Sequence, residues 1–353
     1  VVEAASVDTL EAVRSRLGDP RVSLVSVPDT APRTKPKALD FALPLCRGEF
    51  VVVYDAEDQP DPDQLWKAAL RFRDAPDLAC LQARLVIDNG RQNWLAALFA
   101  GEYAALFTVL LPALARWRLP IPLGGTSNHF RLQALRDLGG WDAYNVTEDA
   151  DIGMRLARRR LRVETLASAT REHAPTRLGA WHGQRTRWMK GWMQTFIVHN
   201  RDPGRLIAEM GLGPALAFQV LVLGMIVAPL LHSGLAMGAV VQVLRGQPLL
   251  GGSGWAGIYA AIMLFGYASA FAMTIAGLAR AQRLDLLPQQ LLLPFYWLLM
   301  AVAALRALVE LAWRPFHWFK SPHTPVAGAK TGRPLARGVL RRLARAVWPV
   351  SKS

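Results

Sequence analysis

Phe50-Val-Val-Val-Tyr-Asp-Ala-Glu-Asp-Gln-Pro60 sets four apolar, mostly β-branched residues directly before an acidic cluster, with Pro60 and Pro62 close behind. The pattern predicts a strand buried on both faces, ended by prolines that cannot extend the pairing. Asp55, Glu57 and Asp58 are thereby delivered to one edge of a sheet. In open α/β sheets ligands bind outside the carboxyl ends of the strands. Asp55 with Glu57 or Asp58 has the oxygen donors to hold a divalent cation bridging a diphosphate. The plainer reading of the same residues is a solvated Asp-Pro turn.

The chain has 353 residues, enough for two domains, and 52% are hydrophobic. That excess is unevenly spread. The first 200 residues read as a mixed α/β globule (residues 1–200), followed by an apolar helical part (201–313) and a basic tail (314–353). The stretch Gly211 to Trp313 has membrane composition. A net charge of +14 raises nucleic acid as a partner, but no nucleic-acid-binding module is recognisable. Anionic lipid and an anionic substrate account for the charge better. Cys46 and Cys80 lack metal spacing and read as buried thiols in a reducing compartment.

In chain order, Val1 and Val2 read as the end of a strand already under way, with no initiator Met and no signal peptide, so an N-terminal strand is expected to be missing. Thr9 to Leu17 is predicted as a helix and Arg21 to Val27 as a strand. The loop Pro28 to Pro36 carries Arg33 and Lys35, and Lys37 follows it at the start of a helix over Ala38 to Leu45. Ammonium groups and helix N-terminal amides together suit phosphate there. Asp63 to Arg73 reads as a helix, Leu78 to Leu85 as a strand. Asn93 to Leu111 is apolar enough to resemble a span, but Glu102 in its middle and Pro112 at its end make it a packed or interfacial helix.

Next comes Pro122-Leu-Gly-Gly-Thr-Ser-Asn-His-Phe-Arg131. Two glycines allow close backbone approach and the polar side chains that follow suit sugar hydroxyls, while His129 alone reads as an interior histidine. Val146-Thr-Glu-Asp-Ala-Asp151 opens a helix with Thr147 as N-cap. Acids in a first turn favour the helix dipole, so a general base among them needs burial or a neighbouring carboxylate to raise its pKa. After a strand at Arg162 to Leu166, Leu178 to His199 is a helix on which Gln184, Arg187 and Trp188 share one face, with Trp181, Trp192 and Phe196 extending an aromatic stripe.

Asp-Ala-Glu-Asp after a strand, Gly-Gly-Thr-Ser-Asn-His-Phe-Arg, Thr-Glu-Asp at a helix start and Gln-Arg-Thr-Arg-Trp, followed by apolar helices, resemble in that order the family 2 glycosyltransferases. The likeness is closest to membrane-integrated, processive-type polysaccharide synthases related to cellulose, chitin and hyaluronan synthases, and it covers residues 1 to 325. It implies a GT-A (Rossmann-like) α/β domain with interfacial and transmembrane helices. The implied activity is inverting, metal-dependent transfer from a nucleotide-diphosphate sugar, most simply a UDP-sugar, to a growing β-linked polysaccharide. A single addition to a lipid-linked acceptor is the alternative within that chemistry, and an inactive membrane scaffold is the alternative outside it.

Position by position, the resemblance assigns Asp55 and Glu57 to Mg²⁺ or Mn²⁺, with Glu standing where the family has a second Asp. It assigns Lys37, Asp55 and Arg187 to the donor diphosphate and Asp149 to the general base. Gly124, Gly125, Thr126, Ser127, Asn128, Glu148, Gln184 and Trp188 fall to the acceptor. Glu3 and Asp8 are candidates for an early aspartate motif. The same likeness implies a bacterial-type inner membrane, a cytoplasmic catalytic domain and room for export or regulatory subunits.

For the apolar part, Gly211 to Leu244 is interrupted by Pro229 and His232. The basic tail from Lys320 to Arg345 favours an even number of spans by the positive-inside rule. The expectation is two spans, near Val227 to Leu244 and Trp255 to Leu278. Leu212 to Ile226 and Leu291 to Trp313 are then interfacial or re-entrant. Pro315 to Thr324 resembles the Trp-x-Lys-Thr-type segment that lies near the active-site mouth in relatives.

Overall fold

The structure, a computed structural model, describes residues 1–247 and 254–319. The tail residues beyond Phe319, including the basic cluster and Ser351, lie outside the described residues. The strands are β1 (Val2–Glu3), β2 (Ser26–Val27), β3 (Phe50–Val53), β4 (Gln59–Pro60), β5 (Leu78–Ile87), β6 (Asn128–Arg131) and β7 (Arg162–Glu172). Interleaved with them are α1 (Val7–Arg14), α2 (Lys35–Ala42), α3 (Gln64–Asp74), α4 (Trp94–Ala105), α5 (Leu111–Arg116), α6 (Leu132–Asp137) and α7 (Glu148–Arg158). After β7 come α8 (Leu178–His199), α9 (Pro203–Met210), α10 (Leu212–Leu244), α11 (Gly254–Arg280) and α12 (Leu293–Trp313). All the described residues fall in one unit.

The main sheet has the order β3-β6-β5-β7-β4, with β5 and β7 parallel and the other pairs antiparallel. β1 and β2 form a separate parallel pair. β3 therefore lies at an edge of its sheet, and only its Val53 is buried. This corrects the expectation of burial on both faces. Phe50 gains its cover locally, stacking on Phe72 at 4.6 Å beneath the Arg131 guanidinium. The most deeply buried strand is β5, with Leu78, Cys80, Leu81 and Ala83 each at 0% exposure. Core residues pack on both sides of it, Phe72 and Leu166 on one and the large cluster around α4 and α8 on the other.

Several boundaries differ from expectation. Arg21 to Val25 lies outside any strand, and only Ser26–Val27 pair. β7 runs on to Glu172, because it pairs with β5 along nearly its whole length. Pro112 does not end the first apolar helix. A π-helical turn at Leu106–Leu110 separates α4 from α5, and Pro112 sits in the first turn of α5, where its missing N–H costs least. Leu212 to Leu244 is one continuous helix with Pro229 inside it, so no break divides it into a re-entrant part and a span.

Four helical stretches, Trp94–Arg116, Leu212–Leu244, Gly257–Arg280 and Pro288–Trp313, are long and apolar enough to cross a membrane. The first is 67% buried within the protein over its most apolar stretch, against 28% and 17% for the next two. Its Glu102 explains why. The carboxylate takes a bidentate pair from Arg185 of α8 at 2.6 and 2.7 Å and a hydrogen bond from the Tyr296 hydroxyl of α12 at 2.9 Å. Arg185 itself lies 4.4 Å from the Phe99 ring centroid and 4.7 Å from that of Trp188. A charge pair thus joins the apolar helices α4 and α12 through α8.

Candidate active site

The carboxyl ends of β3, β5 and β7 open on the same side, and the charged motifs meet there. Thr34 caps α2, accepting a hydrogen bond from the Lys37 amide, so α2 begins at Lys35, earlier than the sequence pattern suggests. That shift decides which lysine serves the site. Lys35 Nζ pairs with Asp55 and donates to the Gly125 carbonyl at 2.6 Å. Burial opposes the Lys35 charge, but Asp55, Glu148 and Asp149 outweigh it and hold its pKa above the usual lysine value. Lys37 points away, its ammonium donating to the carbonyls of Pro28 and Thr30 at 3.0 and 2.6 Å. The structure thus brings Lys35, rather than Lys37, to Asp55.

Within the acidic turn, Asp58 folds back on the chain. Its Oδ2 accepts from the Asp55 amide at 2.7 Å and from the Thr126 hydroxyl. Burial, with the Asp55 charge adding to it, pushes Asp58 up to about 6 against the pull of those hydrogen bonds and Lys35. Glu57 is exposed at the tip of the turn. The loop Gly124 to Asn128 is pinned from beneath. Gln82 accepts from the Gly124 amide at 2.7 Å and donates to the Thr126 carbonyl at 3.0 Å, while Ser127 bonds Thr170 at 2.6 Å. Thr126, Ser127 and Asn128 are buried, and their side chains hold the loop instead of facing outward. Gly124 and Gly125 are the part left half-exposed. His129 is an interior residue, lowered to about 4 by burial.

Opposite the acidic turn, α7 starts at Glu148 with Thr147 at the N-cap position, although the Thr147 side chain makes no capping bond. Asp149 accepts from the Ala150 amide at 2.8 Å, and its Oδ2 lies 3.3 Å from where a Cβ on Gly125 would stand. Any larger residue at 125 would crowd this carboxylate. Burial raises the pKa of Asp149 despite Lys35 and Arg187. Burial and the Asp149 charge together push Glu148 up to about 7. Burial, one of the two conditions that can raise a base at a helix start, is met at Asp149.

From α8, Arg187 reaches the same cleft. Its Nη1 donates to the Val146 carbonyl at 3.1 Å and its Nε is buried without a partner among the described residues. The Trp318 ring lies 4.4 Å from its guanidinium carbon. Gln184 Oε1 is likewise buried without a partner there. Trp188 packs against Phe99 and Tyr103. The segment after α12 is strapped onto α8, since Lys190 Nζ donates to the carbonyls of Arg314 and His317 at 3.2 and 3.0 Å and Gln194 to that of Pro315 at 3.1 Å.

Two residues of the cleft were not among the sequence candidates. Lys35 stood in the basic loop, and the Thr-x-Pro start of its helix was the signal that places it in the first turn. Glu172 ends β7 with Oε1 buried and unpartnered among the described residues. Burial, then the charges of Asp58 and Asp55, pushes it well above the usual carboxylate range. No sequence motif marks it. Among the described residues no three His, Cys, Asp or Glu side chains are grouped as a closed metal cage. A Mg²⁺-type site uses one or two carboxylates with substrate phosphates supplying the rest, and the oxygen donors of Asp55 and Glu57 fit that kind of site.

Comparison with known proteins identifies the family and the fold. Residues 50–319 match the model of the family described as glycosyl transferase family group 2. The β-monoglucosyldiacylglycerol synthase of Trichormus variabilis is 30% identical over 167 residues, 46% of this chain and 35% of that protein. A probable glucomannan 4-β-mannosyltransferase of Arabidopsis thaliana is 28% identical over 144 residues, 40% of this chain and 26% of that protein. The chain thus spans about a third or less of the length of these relatives. Among solved structures, the mannosyltransferase PcManGT of Pyrobaculum calidifontis, in complex with GDP-Man and Mn²⁺, superposes with a TM-score of 0.51 at 23% identity. That match covers 89% of this chain and 77% of the other. The fold is of GT-A type, and the chain belongs to glycosyl transferase family group 2.

Proposed function

We propose that this protein transfers a sugar from a nucleotide-diphosphate donor to an acceptor hydroxyl at a membrane, with inversion at the anomeric carbon. One observation carries the reading. Asp149, raised by burial, faces the same cleft as Lys35, Asp55 and Arg187. In this reading Asp149 takes the proton of the acceptor hydroxyl as that oxygen attacks. Lys35 and Arg187 stabilise the negative charge that grows on the departing diphosphate. Burial lowers the Arg187 pKa while Glu148, Asp149 and Asp55 oppose the shift, so its guanidinium is held ready and partly desolvated. A divalent cation, Mg²⁺ or Mn²⁺, held by Asp55 and Glu57 would supply further charge neutralisation at the diphosphate.

The acceptor is a growing β-linked glycan held against Trp188 and Gln184, with the half-exposed Gly124-Gly125 backbone lining its path. Likeness to a β-monoglucosyldiacylglycerol synthase favours a second reading, a single transfer to a lipid-borne hydroxyl. In either case α10 and α11 span the bilayer and the cleft faces the cytoplasm. The test is a screen of UDP- and GDP-sugars for nucleotide release and labelled product by the protein in membranes, with product length separating the two acceptors. Release from no donor in either series would leave the scaffold reading standing.

A further inference from the structure

At the opposite ends of β5 and β7 from the catalytic cleft lies a cavity of about 350 Å³. Arg118, Arg160, Arg162 and Asp77 are among the residues that line it. Arg162 is engaged with Asp77 at 3.0 Å and with Glu164. Arg160 donates to the carbonyls of Glu209 and Ala208 at 2.7 and 3.0 Å, with Nη1 left over. The Arg118 side chain makes no hydrogen bond or ion pair among the described residues, and its charge only draws the nearby Asp77 down. The cavity therefore has a surplus of positive charge that its own acid does not neutralise.

The backbone shows that these arginines are placed at a cost. Arg118 follows α5 and Arg160 follows α7, each in the left-handed conformation, φ 53° and 54°. That position after a helix is one where glycine is strain-free. Both left-handed arginines line this one cavity.

The position of the cavity points to the ligand. Met210, which ends α9, and Pro214, in the first turn of α10, form part of its wall. From that turn an outward apolar face begins, with Leu212 61%, Leu216 56% and Val220 73% exposed. Beside Arg118, Trp117 is 68% exposed. Tryptophan and arginine together at the foot of an apolar helix mark the headgroup level of a bilayer. Basic pockets at that depth suit anionic lipid headgroups. We propose that this cavity binds the phosphate diester of an anionic phospholipid. Arg118 and the remaining Nη1 of Arg160 donate to its oxygens, Arg162 stays paired with Asp77 and Glu164 at the cavity wall, and the acyl chains run along Leu212 and Leu216. The inference needs α10 to lie in a membrane and is independent of the transfer chemistry.

The test uses the full chain in zwitterionic detergent, with dioctanoyl phosphatidylglycerol titrated and bound lipid read by native mass spectrometry. Dioctanoyl phosphatidylcholine and inorganic phosphate form the other arms. Phosphatidylglycerol should bind and phosphatidylcholine should bind at least about tenfold more weakly. Arg118→Ala and Arg160→Ala should each weaken phosphatidylglycerol by about fivefold, while Arg116→Ala, outside the cavity, should not. Arg118→Ala removes no internal side-chain hydrogen bond or ion pair, so its loss of binding at an unchanged melting temperature separates the site from misfolding. Equal binding of the two lipids, or wild-type affinity in the Arg118→Ala/Arg160→Ala double variant, overturns the proposal. Displacement of phosphatidylglycerol by an equal concentration of inorganic phosphate overturns the lipid as the source.

Discussion

Lys35, in the first turn of α2, and Asp55, just beyond β3, form an ion pair that Gly125 completes through its carbonyl. Twenty residues of chain separate the two, and the pair joins the basic loop to the acidic turn. In the proposed transfer the lysine both restrains the carboxylate assigned to the metal and stands where a diphosphate would bring its own negative charge.

Lys35→Ala should therefore weaken donor binding by about 10- to 100-fold, the range of a lost charge-assisted hydrogen bond. Lys37→Ala should stay within about twofold, because that ammonium only ties its own loop. Nucleotide-sugar affinity of the two variants decides between them, and the reverse order would return the role to Lys37.

Asp149→Asn should keep donor binding and lower transfer by about 10² to 10⁴. Single-turnover transfer with saturating donor is the measurement. Near-normal transfer would remove the base assignment.

Glu148 predicts a dependence of stability on pH. Its folded pKa, pushed to about 7, lies above the ordinary 4.5, so the folded protein holds a proton that the unfolded chain has already lost. The contribution is fully present below about 4.5 and is lost as pH rises through about 7. Glu148→Gln should flatten this decline in a series of thermal melts between those limits, and an unaltered decline would place its origin elsewhere.

Glu102→Gln should lower stability by about 3 kcal/mol, since it strands the buried Arg185 charge. The double change Glu102→Leu with Arg185→Met should be milder than that single change. Equal losses from both would mean that packing, not the stranded charge, sets the cost.

Trp318→Ala should raise KM for the donor by about 3- to 30-fold through loss of the cation–π contact with Arg187. The kcat should change less. An unchanged KM would make the segment after α12 a passive strap.

Much of this was legible in local sequence. The β3 strand, the helix start at Glu148 and the shared face of Gln184, Arg187 and Trp188 follow from periodicity and turn chemistry, which depend on near neighbours. What was not legible depends on distant ones. Periodicity cannot show that β3 is an edge strand, because the cover over Phe50 comes from Phe72 and Arg131, parts of other elements. The Glu102 in an apolar helix spoke against a span, but its partner Arg185 is 83 residues away. Glu172 is set apart by its burial and by the charges that surround it in three dimensions. The choice between Lys35 and Lys37 turned on a boundary, since a helix beginning a few residues earlier rotates one lysine into the cleft and the other out of it.

Lys190 is completely buried in the middle of α8, and the carbonyls it holds belong to a stretch more than a hundred residues downstream. The helix carrying Arg187 and Trp188 is therefore a shared wall between the catalytic half and the apolar half. A water-soluble version ending after His199 would lay bare Trp181, Met189 and the Lys190 ammonium together. Purification must keep α10 to α12 attached, and a detergent that loosens α12 from α8 should abolish the proposed transfer without touching any residue in the cleft.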